Sequence, residues 1–302
     1  MIRSTTEGEA RMSVRKWENM QRWMRGLLLV AITTSGWAAS AQPVAIVTDT
    51  KGSAVVESDP RKPGLAITTA IDPASRVQLG AEGRLVVLYL KSGDEYSMAG
   101  PALIEFSADE PKALKGTAPV KRASPLARAG GEVRIKPAGV AQAALVMRSI
   151  NARIRVLTLT GTKTLEKSPV FRWEAVQPGV SYQFELTDDT GKVLHEATTT
   201  ATEVRLPAAI LLREATPYSW SVSTRLDSGR RYASNSDFSV VMPRVRAQVE
   251  AARPAVNAAF SERVAYALWL DQLELADEAR KYWMVLAAER PEDSQLQALA
   301  RK

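Results

Sequence analysis

Apolar and polar residues alternate along the stretch from Ser168 to Met242. Phe171 and Trp173, then Tyr182, Phe184 and Leu186, then Tyr218, Trp220 and Val222, then Phe238 and Val240 each repeat with a period of two. That spacing puts each set on one face of a half-buried β-strand. Turn chemistry falls between the sets, at Gln177-Pro178-Gly179, Asp188-Asp189-Thr190-Gly191, around Pro207 and at Asp227-Ser228-Gly229. Strands punctuated in this way predict an antiparallel sandwich over residues 153–243.

The same reading predicts a first β-domain over residues 42–110. Its strands are Val44-Ala45-Ile46-Val47, Ala54-Val55-Val56, Arg76-Val77-Gln78-Leu79, Leu85 to Leu90 and Leu103-Ile104-Glu105-Phe106, separated by Gly- and Asp-containing turns. Leu85 to Leu90 does not alternate, which predicts a central strand covered on both faces. Residues 111–152 carry scattered Pro and Gly and eight basic side chains against Glu132, and read as a basic linker with a short strand at Val133-Arg134-Ile135 and a helical turn around Ala141 to Met147. Beyond the sandwich's opening at Ile154 to Leu159 and its end at Met242-Pro243, the period changes to about 3.6. Helices are predicted at Val245 to Arg253, Ala255 to Leu270 and Asp277 to Glu289, the last two as an antiparallel pair over residues 244–302.

The start of the chain has a different character. Arg15, Lys16, Arg22 and Arg25 precede the apolar run Gly26 to Ile32, and a small-residue stretch ends Ala39-Ser40-Ala41. This reads as a signal peptide over residues 1–41, with an overextended start and cleavage after Ala41, because the apolar run falls short of the roughly 20 residues that span a bilayer. The expected location is the periplasm, with no retained transmembrane helix. The formal charge is +7 for the whole chain, of which +3 lies in the leader and +4 in the rest, so nucleic acid is not an expected partner. There is no cysteine, which excludes disulfides, thiol catalysis and cysteine-ligated metals.

Three resemblances arise from quoted phrases. Arg76-Val77-Gln78-Leu79 followed by Gly83-Arg84-Leu85-Val86-Val87-Leu88, after Ala66 to Asp72 and before Ser92 to Tyr96 and Gly100-Pro101, resembles the FecR-like domain, which implies an extracytoplasmic β-domain. Pro169 to Trp173, Tyr182 to Leu186 and Pro217 to Val222 resemble a fibronectin type III or immunoglobulin-like domain, in which Trp173 would fill the space between sheets against Tyr182 or Trp220. Ala265 to Trp269, Leu275 to Ala279, Trp283, Leu286 and Pro291 resemble one tetratricopeptide-like unit. A single such unit cannot bury both its faces, so it docks on a neighbouring domain or meets another protein.

Chemistry is sparse. The one histidine, His195, lies in a predicted strand, and neither a nucleophile elbow nor a phosphate-binding glycine loop nor H-E-x-x-H occurs. Asp188-Asp189 and Asp94-Glu95 are read as turn residues, since both lack the alternating oxygen ligands of a calcium loop. The sequence therefore predicts a mostly β, multidomain protein with no catalytic, cofactor-binding or metal-binding residues and no cofactor. Its expected role is non-enzymatic binding or assembly in the bacterial envelope. The partner would be another envelope protein, and the basic linker would meet anionic polymer or lipid headgroups. The alternatives are an envelope sensor acting with a membrane protein and a cell-wall hydrolase using carboxylates.

Overall fold

The computed structural model describes residues 42–57, 64–128 and 152–301. Nine strands make the first β-unit: β1 (Ala45–Lys51), β2 (Ala54–Val56), β3 (Ala70–Ile71), β4 (Arg76–Leu79), β5 (Arg84–Tyr89), β6 (Asp94–Ala99), β7 (Ala102–Phe106), β8 (Pro111–Lys115) and β9 (Val120–Ala123). They pair antiparallel into a sheet ordered β3-β1-β5-β6-β9 and a second ordered β2-β4-β7-β8. Val47, Val77, Leu79, Leu85, Val87, Tyr89, Met98, Ile104 and Phe106 fill the space between the sheets. Where the sheets bend toward each other, Gly100 donates its N–H to the Gly83 carbonyl at 2.7 Å. A Cβ on Gly100 would stand 1.7 Å from the Gly80 carbonyl oxygen, so only glycine allows this approach.

Two expectations change in this unit. The stretch read as linker from 111 contributes β8 and β9, which complete one sheet each, so the β-unit runs to Ala123. Their exposed, basic sequences carry no strand periodicity, and the pairing comes from β7 and β6 alongside them. Asp94 and Glu95 open strand β6 instead of forming a turn. Glu95 is buried because Arg122, directly opposite on β9, pairs with its carboxylate. A short helix, α1 (Pro125–Arg128), follows. The strand and helical turn expected at 133–135 and 141–147 lie outside the described residues, as does the leader.

The second β-unit contains β10 (Ala152–Arg153), β11 (Thr162–Thr164), β12 (Val170–Arg172), β13 (Tyr182–Asp188), β14 (Val193–Thr199), β15 (Glu203–Arg205), β16 (Pro217–Arg225) and β17 (Arg231–Val240). Its main sheet is ordered β10-β17-β16-β13-β14, with β11 also paired to β17, and β12-β15 forms the facing layer. Alternation behaves as expected: Tyr182, Phe184, Leu186, Tyr218, Trp220, Val222, Phe238 and Val240 are all buried. Trp173 packs on Tyr182 at 5.5 Å between ring centres, and Trp220 packs on Phe171 at 5.3 Å. No strand forms at the expected Ile154 to Leu159, where the one pairing is a single bridge from Val156 to Trp173; strand β10 precedes that stretch. Leu159 takes a positive φ of 55°, which breaks the extended run.

Four helices follow: α2 (Pro243–Ala251), α3 (Phe260–Gln272), α4 (Ala276–Glu289) and α5 (Ser294–Ala300). The last was not legible as a helix; Asp293 caps it by accepting from the Gln295 and Leu296 N–H groups. The helical pair does not stand free. Val264, Ala265, Trp269 and Leu270 of α3 and Leu286 of α4 share one buried cluster with Ile46 of β1, Leu88 of β5, Ile67 and Leu126. This explains the unbroken apolar run of β5. Leu85, Val87 and Tyr89 face the inter-sheet core, whereas Leu88 faces the helices. Arg290, at the end of α4, lies 3.5 Å over the Phe260 ring and pairs with Asp49 of β1 at 2.8 Å.

The other end of the pair is fastened to the sandwich. The Thr162 hydroxyl donates to the Glu274 carbonyl at 2.7 Å and accepts from the Ala276 N–H at 3.0 Å. Leu275, the N-cap of α4, offers no side-chain cap, so Thr162 supplies from another module the acceptor a helix start needs. The Leu159 N–H donates to the Asp277 carboxylate at 2.7 Å, and Arg280 donates to the Leu157 carbonyl at 3.0 Å. Residues 42–302 accordingly form one compact unit.

Candidate functional site

Because β16 turns Tyr218, Trp220 and Val222 inward, it turns Ser219, Ser221 and Ser223 outward. The register sets Gln183 of β13 beside Ser223 and Glu185 beside Ser221, and sets Thr198 and Glu196 of β14 beside those two in turn. Short serines flanked by longer side chains leave a shallow, open depression of about 540 Å³. Gln183, Glu185, Glu196, Thr198, Ser221 and Ser223 supply its polar lining.

Glu185 and Glu196 are directly opposed across β13 and β14. Both are exposed and neither forms an ion pair among the described residues. Like charges in that position are destabilising. Acid–base hydrolysis needs carboxylates that differ in environment and a wall that excludes water; this pair shares one solvated sheet face.

His195, Asp188, Asp277 and Arg122 make structural contacts. His195 sits on β14 opposite Leu186, half-buried, with its ring 6.1 Å from that of Phe184. Asp188 ends β13 and accepts from the Thr190 hydroxyl at 2.6 Å and from the Thr190 and Lys192 N–H groups. These bonds hold its carboxyl below the usual range, the Thr190 hydroxyl foremost. This is the turn role read from the sequence. Asp277 is pushed up, chiefly by burial at the helix–sandwich seam and against the Leu159 N–H bond. Arg122 joins Glu95 of β6 to Glu262 of α3, the latter at 2.9 Å, and acts as a fastener between sheet and helix. Among the described residues no group of three or more His, Asp or Glu side chains could hold a metal ion, and no helix is long and apolar enough to cross a membrane.

Strand β14 also ends the main sheet. It pairs with β13 on one side and with no other strand among the described residues. At seven residues it is the longest terminal strand of the four sheets, against five for β8 and four for β9. Sequence reasoning placed His195 on a strand but gave no sign that this strand is the edge, since edge position depends on which distant strands pair.

No protein-family model and no curated protein matches this sequence. Solved structures do match, among them the crystal structure of CopC from Methylosinus trichosporium OB3b. It is 19% identical, overlaps 29% of this chain and 93% of that chain, and gives a TM-score of 0.23.

Proposed function

We propose that this chain is an exported, non-enzymatic binding or assembly protein of the bacterial envelope, working in the periplasm through its FecR-like and fibronectin-like β-units. One observation carries this reading: the C-terminal helices are used inside the molecule. They seal Ile46 and Leu88 of the first β-unit and bond to Leu157, Leu159 and Thr162 of the second. The tetratricopeptide-like pair therefore acts as an internal brace, and the contact surface falls to the sheet edges. Edge β14 is the one best suited to an incoming strand. It is long, contains no proline, and carries one charged side chain, Glu196. Exposed edges of this kind recruit extended segments by strand addition.

The test is crosslinking in intact cells followed by recovery of a C-terminally tagged chain. The wild type is compared with Val193→Arg/Thr198→Arg, which places two cations along the edge at exposed positions. The expected result is a reproducible envelope protein recovered with the wild type and lost with the edge variant, whose circular dichroism and melting remain those of the wild type. Retention of the partner by the edge variant, or a wild-type chain recovered alone, counts against the reading.

A further inference from the structure

A second surface lies on the outer face of the main sheet, at the end remote from the Glu185–Glu196 pair. The register of β16 and β17 sets Arg225 directly opposite Arg231. On the other side of β17, parallel strand β10 sets Arg153 opposite Ala233, one outward position along from Arg231. The face is fixed by alternation. Thr224 and Val222 of β16 are buried and Tyr232 of β17 packs on the core, so Arg225, Arg231 and Ala233 point outward. All three arginines are exposed, and none makes an ion pair within 4 Å among the described residues. Asp227, in the turn joining the two strands, forms no pair with them, and Asp237 on the same face is engaged with the Ser219 hydroxyl. Arg230, in the same hairpin, turns aside to the Tyr232 hydroxyl at 3.5 Å. Ala233 and Ser223, in the adjoining rung, are short and leave the guanidinium groups unobstructed.

Most other cations of the β-units are matched: Arg76 by Glu105, Lys91 by Asp109, Lys121 by Asp94, Arg172 by Glu203, Lys167 by Glu214. Against that background an opposed arginine pair with a third arginine diagonal to it is the exception. Directly opposed like charges weaken a sheet, and an anion between them reverses the sign. Opposed Cβ atoms stand about 4.5–5.5 Å apart and diagonal ones about 7–8 Å, so the long arginine side chains can converge on one tetrahedral anion. Guanidinium is planar, permanently charged and binds phosphate with two parallel hydrogen bonds.

We propose that Arg153, Arg225 and Arg231 form a binding site for a phosphate group. The source is either the headgroup of an anionic membrane lipid or a soluble phosphate compound. The site is independent of the β14 edge and remains if the edge reading fails.

The test uses the chain from Gln42 onward, which is one compact unit. Its binding to vesicles of phosphatidylcholine with and without phosphatidylglycerol is measured by flotation, and its binding to inorganic pyrophosphate by calorimetry. R153Q/R225Q/R231Q is compared with a charge-matched control, K51Q/K112Q/K115Q, both checked for unchanged melting. The expected result is binding to phosphate-bearing vesicles, to pyrophosphate, or to both, with the arginine variant weakened roughly a hundredfold on vesicles and the control weakened far less. Vesicle binding that pyrophosphate displaces identifies the lipid headgroup; pyrophosphate binding without vesicle binding identifies a soluble ligand. Absence of binding to either, or equal loss in both variants, overturns the proposal.

Discussion

If the helices brace the molecule, damage on the β5 face they cover must be felt well beyond the first β-unit. Leu88→Ala removes three carbons from a side chain with no exposed surface, at the junction of β5 with α3. At about 0.8 kcal/mol per methylene the transfer loss is about 2.4 kcal/mol, and the residual cavity raises the total to about 3–4 kcal/mol. The first β-unit contains no tryptophan, whereas Trp269 and Trp283 lie in α3 and α4 and Trp173 and Trp220 in the sandwich. Urea unfolding of the chain from Gln42, followed by tryptophan emission, therefore reads the mutation only through coupling between modules. With a slope of about 3 kcal/mol per molar urea, the emission midpoint is expected to fall by about 1 M. Leu85→Ala, equally buried but pointing into the inter-sheet core, is expected to shift the same signal by a similar amount. An emission midpoint unmoved by Leu88→Ala, with the circular dichroism transition splitting in two, would refute the brace.

Three further outcomes follow from the seams. Thr162→Val keeps the shape but leaves the Ala276 N–H without its acceptor and removes one of the two donors to the Glu274 carbonyl, which keeps the Lys163 N–H, and is expected to destabilise by about 1–2 kcal/mol in the same urea assay; a loss below about 0.5 kcal/mol would show that the cap is dispensable. Arg290→Gln leaves the Asp49 carboxylate unpaired, with the Asp49 residue 8% exposed, and is expected to cost about 3 kcal/mol, most of it recovered in R290Q/D49N; additive single effects would contradict the pairing. Because the folded-state pKa of Asp277 is raised, mainly by burial, its contribution is fully present below the ordinary carboxylate pKa and is lost as pH rises through the raised value. Asp277→Asn should remove that decline, seen by comparing urea midpoints at pH 4 and pH 7, and an unchanged pH dependence in the variant would contradict the assignment.

Much of the architecture was legible where one side chain reports one environment. The alternation of Tyr218, Trp220 and Val222 needs no knowledge of the partner strand, and the helical spacing of Val264, Ala265 and Leu268 needs none of the sheet beneath it. The unbroken run Leu85 to Leu90 also announced two covered faces, though not which element supplied the second cover. Strands β6 and β9 were hidden because Glu95 and Arg122 look like surface residues until the register sets them opposite each other. The turn at Asp227-Ser228-Gly229 was legible, but the opposition of arginines 225 and 231 was not, since it depends on the exact register of the hairpin.

The brace also sets an order of events. The Thr68 hydroxyl accepts from the Gln295 side chain across 227 residues of chain, and Ile46 waits for α3. Until α3 and α4 are in place, the outer face of β1 and β5 stays bare. During that interval the first β-unit presents a greasy sheet that only the last part of the chain can hide. A chain truncated before Phe260 would lack the side chains of α3 and α4 that cover Ile46 and Leu88, and would differ from the folded chain by a bare apolar sheet for its lifetime.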